Sequence, residues 1–176
     1  MKGLNIRKLM LVLVVAVFAF ASFAPAAKAA PKGNTIVDVA LAANAQTGEF
    51  SILIAALQAA DPAVLQTLSG KGQFTVFAPT DAAFVALLNE LGVTADQLLS
   101  NKELVTKVLL YHVARGNRDS SEVLASSRIR TLQGGFLFQS GGVLTDANGR
   151  TANIIAVDIM ASNGVIHVID RVVLPK

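Results

Sequence analysis

The hydrophobic period of this chain changes near its middle, and that change constrains its fold more than any other feature. In the first half, apolar residues recur at helical spacing, as in Phe84, Leu87, Leu88 and Leu91. From Arg128 onward, β-branched and aromatic runs alternate with Gly, Asn and Ser. Helices followed by strands predict an α+β domain, with helices mainly in the N-terminal half and strands mainly in the C-terminal half.

Local signals place several boundaries of these elements. Asp61-Pro62 predicts a helix start, Thr80 predicts an N-cap with Asp81 in the first turn, and the capping-box pattern predicts starts at Thr94 and Ser100. The predicted strands and turns follow from composition: strands at 74–78, 128–132, 136–139, 143–145, 153–159 and 165–174, a type I′ turn at Asn148-Gly149, and a tight turn at Asn163-Gly164.

The N-terminus has the order of a secretory signal peptide: basic residues, an apolar run and the small-residue site Ala27-Lys28-Ala29. We expect residues 1–29 to be removed, 30–34 to form a short lead-in, and 35–176 to form a single domain without a further membrane segment. An uncleaved anchor is the alternative, because residues 9–27 are uncharged.

The charge balance depends on this leader. It holds four of the 15 Lys and Arg and none of the 12 Asp and Glu, so the mature chain has a formal net charge of −1. No basic patch is visible, which argues against nucleic-acid binding. The chain has no Cys, so an exported domain must be held by packing rather than by disulfides, and thiol catalysis is excluded.

His112 and His167 are the only histidines. A metal pair or an acid-base pair is one interpretation. Each lies in an apolar pattern, however, which predicts two buried neutral imidazoles hydrogen-bonded to the backbone or to a side chain such as Tyr111. We therefore predict no metal site and no cofactor.

Catalytic motifs are missing from the sequence. It has no G-x-S-x-G elbow and no H-E-x-x-H motif, so we predict a protein that is not an enzyme. A hydrolase would require Ser120 or Ser121 beside one of the histidines.

Three ordered segments carry a family resemblance: QFTVFAPTDAAF (73–84), VLLYHVARG (108–116) and NGVIHVIDRVVLP (163–175). Together they resemble the signature stretches of the fasciclin family of extracellular adhesion domains. The resemblance implies a β-wedge or sandwich with helices packed on it, in which 74–78 joins the C-terminal strands. It also implies structural-motif roles at matching positions: Thr80, Asp81, His112, Asn163, Gly164 and His167.

The resemblance further implies recognition residues. In animal matrix proteins of the family, an Asp-Ile pair and the tyrosine-histidine segment are implicated in receptor contact, and Asp158-Ile159 and Tyr111-His112 match them. The usual preceding Glu-Pro is Ala156-Val157 here. In the alternative interpretation, Asp158 caps the turn at Ser162-Asn163 and Ile159 belongs to the core.

These observations predict an exported adhesion or interaction module in the periplasm, at the cell surface or in the medium. Its expected partner is an extracellular protein or polysaccharide. We expect a monomer, with weak self-association as the alternative. The second functional hypothesis is a carrier of small or lipid-like ligands, which would require an apolar cavity.

Overall fold

The computed structural model describes residues 33–176. The predicted leader and most of the lead-in lie outside the described residues. The helices are α1 (Ile36–Thr47), α2 (Ser51–Ala59), α3 (Pro62–Ser69), α4 (Asp81–Leu91), α5 (Ala95–Ser100), α6 (Lys102–Tyr111) and α7 (Ser120–Ala125). The strands are β1 (Phe74–Pro79), β2 (Val113–Arg115), β3 (Arg128–Arg130), β4 (Phe136–Ser140), β5 (Val143–Thr145), β6 (Thr151–Ala161) and β7 (Gly164–Ile169). This order confirms the predicted α+β class.

Side-chain caps fix most helix starts. Asp61, Thr80 and Thr94 cap α3, α4 and α5 as predicted. The cap of α6 is Asn101 rather than Ser100, because the amide oxygen of Asn101 accepts from the Leu104 N–H at 3.1 Å. Here the side chain that reaches the free amide decides the boundary.

Asp81 interacts with a second helix as well as with the dipole of its own helix, α4. Its carboxylate accepts hydrogen bonds from the Ser51 and Ile52 N–H groups, at 3.1 and 2.8 Å. These groups begin α2, whose own N-cap residue, Phe50, has no side-chain cap. The Thr80-Asp81 pair therefore begins one helix and caps another.

The strands form one sheet in the order β2-β1-β7-β6-β5-β4-β3. As predicted, β1 joins the C-terminal strands, pairing in parallel with β7. A bridge between Ala114 and Thr131 links the two ends of the sheet, which is therefore nearly closed. The predicted last strand was too long: β7 ends at Ile169, and the chain then leaves the sheet. Val172 and Val173 are buried without strand pairing, which is why their β-branched pattern was misleading.

One turn differs from its prediction. Asn148-Gly149 does connect two antiparallel strands, but residues 146–150 form the connection and only Gly149 has a positive φ, of 82°. The prediction of a two-residue type I′ turn is therefore wrong. The buried Asp146 carboxylate accepts from the Asn148 and Arg150 N–H groups at 2.8 and 2.9 Å, which stabilises a wider loop.

Two groups of buried side chains hold these layers together. The larger lies between the helices and one part of the sheet, and includes Phe84, Val108 and Ile166. The smaller lies inside the curl of the sheet, around Phe77 and Tyr111. Among residues 33–176, no single helix has both the length and the apolarity to cross a bilayer; α2 and α3 reach them only together, with a bend of 117°.

Candidate functional site

The Asp-Ile pair lies at an irregularity in β6. The pairing of β6 with β7 shifts register between Ile154 and Ala156 and again between Ala156 and Ile159. Within this bulge Asp158 has a φ of 59°, the only positive φ of a non-glycine residue in the described part of the chain. Asp and Asn adopt this left-handed conformation more readily than other side chains.

The bulge directs the Asp158 carboxylate to the start of α7. One oxygen accepts from the Ser120 N–H at 2.7 Å and the other from the Ser120 hydroxyl at 2.6 Å. Asp119 separately caps this helix by accepting from the Glu122 N–H at 2.9 Å. The idea that Asp158 caps the turn at Ser162-Asn163 is therefore wrong, because its hydrogen bonds join β6 to α7.

The two residues of the pair have different surroundings. Asp158 is half-buried beside α7, whereas Ile159 packs against the larger core. The exposed apolar side chains come just before them: Ile155 is 57% exposed and Val157 is 49% exposed. Since β5 pairs with β6 only over Thr151–Asn153, the stretch from Ile155 to Val157 forms an edge of the sheet among the described strands.

His167 lies directly behind the bulge. Its Nε2–H donates to the Arg118 carbonyl at 2.9 Å, and its Nδ1 accepts from the Asp158 N–H at 3.4 Å. The ring stacks on Phe77 with centroids 5.8 Å apart. The ring is buried, and both of its nitrogens are hydrogen-bonded, one as a donor and the other as an acceptor.

Tyr111 is fully buried at the end of α6. Its hydroxyl donates to the Phe136 carbonyl at 2.7 Å and accepts from the Ala147 N–H at 3.1 Å. Burial raises the pKa of the Tyr111 hydroxyl. The tyrosine thus joins the end of α6 to the start of β4 and to the loop between β5 and β6, and a direct contact with a partner stays a prediction.

His112 is the C-terminal cap of α6 and is also buried. Its Nδ1–H donates to the Val108 carbonyl at 2.8 Å, and its Nε2 accepts from the Val173 N–H at 3.3 Å. Desolvation lowers the pKa of His112 to about 4. The neutral ring therefore holds the C-terminal segment against α6.

This environment predicts an acid-sensitive stability. The unfolded chain binds a proton at His112 near pH 6.5, whereas the folded chain resists protonation down to about pH 4. The contribution is complete above pH 6.5 and is lost as the pH falls towards 4, by about 3 kcal/mol over the whole window. Urea unfolding at a series of pH values measures it. His112→Gln cannot take up a proton, whereas the other titratable groups act in both proteins, so the variant should lose about 3 kcal/mol less than the unmodified protein over the same window; an equal loss in both proteins would assign the effect to those other groups.

The hydroxyl groups that a hydrolase would need have other partners. Ser120 donates to Asp158, and Ser121 donates to the Asp119 carboxylate at 2.6 Å. Neither hydroxyl is hydrogen-bonded to His112 or His167 in this structure. Within residues 33–176, no group of three His, Asp or Glu side chains is arranged to hold a metal ion.

Sequence reasoning missed Asp146. Besides its turn, this buried carboxylate accepts from the Leu174 N–H at 2.8 Å. It therefore anchors the C-terminal segment, together with His112 and with Asn148, whose Nδ2 donates to the Leu174 carbonyl at 3.1 Å. The Asp-x-Asn-Gly pattern could have indicated the turn, but nothing local indicated the long-range bond.

Comparison with known proteins defines the family. A model of the fasciclin domain matches residues 48–175. The chain is 43% identical over 145 residues to Protein sll1483 of a Synechocystis strain, covering 80% of this chain and 73% of that protein. The chain belongs to the fasciclin domain family, as the three ordered segments predicted.

Two further similarities cover a smaller share of the matched protein. Over 115 residues the chain is 34% identical to the Cell surface glycolipoprotein MPB83 of Mycobacterium bovis, covering 65% of this chain and 49% of that protein. A solved FAS1 domain pair from the insect cell adhesion molecule Fasciclin I has the same fold, with a TM-score of 0.59 and 19% identity. That match covers 73% of this chain and 46% of the solved chain, so this chain spans about half of each.

Proposed function

We propose that this protein is an exported adhesion-type module that acts by binding an extracellular partner and not by catalysis. Three things support an extracellular role: the signal-peptide pattern, the membership of the fasciclin family, and the similarity to a cell surface protein and to a cell adhesion molecule. The hydroxyl groups of Ser120 and Ser121, bound to carboxylates rather than to imidazoles, support a non-catalytic role.

The observation that carries the proposal is the exposed edge of β6. Ile155 and Val157 place two large apolar side chains in solvent next to a charged residue, Asp158. Apolar surface surrounded by polar groups is typical of interaction sites. The bulge breaks the regular ladder here, so a partner strand cannot simply extend the sheet. Recognition is therefore assigned to the side chains of this edge.

An extracellular protein fits this edge better than a polysaccharide. A protein partner offers both apolar side chains for Ile155 and Val157 and a Lys or Arg for Asp158. A sugar polymer would be expected to use stacked aromatic and hydrogen-bonding groups, whereas this edge is aliphatic. Polysaccharide binding at this edge is the alternative outcome of the test.

The test uses Asp158→Asn. Asn tolerates the left-handed backbone, and it keeps an acceptor for the Ser120 N–H and a donor for the Ser120 hydroxyl. It removes the charge and little else, so the midpoint of thermal unfolding should hardly move. We expect affinity for the partner to fall at least tenfold, or about 1.4 kcal/mol.

The measurement is a surface-binding assay against a panel of extracellular matrix proteins and glycans, followed by titration of each ligand that binds. Val157→Ser should weaken the same interaction, since it removes the neighbouring apolar contact. The matched control is Asp96→Asn, which makes the same charge change at an exposed position on α5. Full affinity in both Asp158→Asn and Val157→Ser would exclude this edge as the binding surface.

A carrier of small apolar ligands is the second candidate function. One observation favours it: the apolar cavity that this hypothesis requires is present among the helices.

A further inference from the structure

The cavity lies between α2, α4, α5 and α6, with a volume of about 250 Å³. Thirteen of the described residues line it, and twelve of them are apolar. Leu53, Ala56 and Leu87 belong to its buried wall, whereas Leu91 and Leu104, 48% and 39% exposed, form the rim. The cavity thus reaches the surface between α4 and α6.

Among residues 33–176, His112 is the single polar residue of the lining, and both its nitrogens already have protein partners. No Lys, Arg, Asp or Glu of the described part of the chain lines the cavity. A bound molecule would therefore find neither a counter-charge nor a free hydrogen-bonding group. Because an unpaired charge or polar group is costly to bury, this lining selects for a neutral, apolar molecule.

The volume sets the size of that molecule. A dry cavity of about 150 Å³ is sufficient for benzene, so this cavity has room for a molecule of about ten carbon atoms. Leu174 forms part of the wall, and its backbone is fixed by Asp146 and Asn148. The cavity is therefore closed on this side by an anchored segment.

We propose that this cavity is a binding site for a neutral apolar ligand of about ten carbons, such as a medium-length aliphatic chain, which enters past Leu91 and Leu104. The site is separate from the edge of β6: the cavity lining includes no residue of that strand. The proposals of adhesion at the edge of β6 and of ligand binding in the cavity can therefore be tested independently.

The experiment uses 1-octanol as the neutral probe and octanoate as its charged counterpart. Calorimetry and ¹³C-methyl NMR of the purified protein at pH 7 follow binding. We expect saturable 1:1 binding of 1-octanol, with shifts of the Leu53, Leu87 and Val105 methyls and none of Leu137 and Leu144 in the smaller core. Octanoate should bind at least tenfold more weakly, and equal affinity would overturn the assignment to neutral ligands.

Ala56→Phe tests the location. The added ring, about the size of benzene, would occupy more than half of the cavity and should weaken 1-octanol binding at least tenfold. Ala42→Phe makes the same change at an exposed position of α1 and should leave binding unchanged. A folded Ala56→Phe protein with undiminished affinity would refute the site. If this variant does not fold, the methyl shifts of the unmodified protein decide: shifts confined to residues outside the lining would also refute it.

Discussion

Gly164→Ala should lower the free energy of unfolding by about 4 kcal/mol. Gly164 begins β7, directly opposite Phe74 of the parallel strand β1, and has a φ of 153°. A Cβ at this position would overlap the Phe74 carbonyl oxygen and lie 2.9 Å from its carbonyl carbon. Strain at a positive φ costs about 1–3 kcal/mol, and forcing extra volume into a packed site costs a similar amount.

Gly149→Ala is the matched control for this prediction. Gly149 also has a positive φ, 82°, but its Cβ would meet no atom of residues 33–176 within 4 Å. It should show the backbone strain alone, about 1 kcal/mol. Urea unfolding of the two variants separates the contributions. An equal loss of unfolding free energy in both variants would mean that the close approach of β1 and β7 does not contribute to the effect of Gly164→Ala.

Much of this fold could be predicted because its boundaries are chemically local. A cap such as Thr80 accepts from an amide three residues away, at Ala83, so the short sequence around it contains the whole interaction. Strand β4 could likewise be predicted, because its aromatic run from Phe136 to Phe138 is bounded by Gly135 and Gly141.

The elements missed by sequence reasoning are short or weakly patterned. Strand β2 has three residues and α7 has six, which is too few to show a period. Helix α1 is longer, but it is rich in alanine and only Ile36 is buried along it. Its capping box, Thr35 to Asp38, was the available signal, with Asp in place of the usual Glu or Gln.

The candidate site could be predicted only in part from the sequence, because its geometry depends on residues that are far apart in the chain. Sequence placed Asp158 beside a family motif, but the bulge that turns its carboxylate towards Ser120 depends on pairing with β7. The burial of His112 was predicted from its helical face. Its second partner, Val173, is 61 residues away and could not be predicted. Local pattern fixes which side chains turn inward, whereas their partners depend on the tertiary fold.

Asn163 shows how much such non-local partners contribute. This buried side chain occupies the turn between β6 and β7 and has three partners in the helical layer. Its Oδ1 accepts from the Ile36 N–H at 2.8 Å, where α1 begins. Its Nδ2 donates to the carbonyls of Leu68 and Gly70, at 2.7 and 2.8 Å, where α3 ends. One side-chain amide therefore joins the start of α1 and the end of α3 to the turn between β6 and β7.

We expect Asn163→Ala to lower the free energy of unfolding by about 4 kcal/mol, because it leaves one donor and two acceptors without their partner and each unsatisfied buried group costs about 1–3 kcal/mol. Urea unfolding measures this loss, and hydrogen exchange should show faster exchange at the Ile36 amide.

Asn148→Ala is the control, since Asn148 also donates to two backbone carbonyls, those of Leu174 and Pro175, but is exposed. Water replaces its hydrogen bonds, so the loss should stay below about 1 kcal/mol. Asn163→Asp tests the hydrogen bonds to α1 and α3 separately. The Asp side chain keeps an acceptor for the Ile36 N–H, but when ionised it has no donor for the carbonyls of Leu68 and Gly70. It should therefore be nearly as unstable as Asn163→Ala at pH 7. Losses within 1 kcal/mol of Asn148→Ala for both Asn163 variants would show that this junction is held by packing and not by the amide.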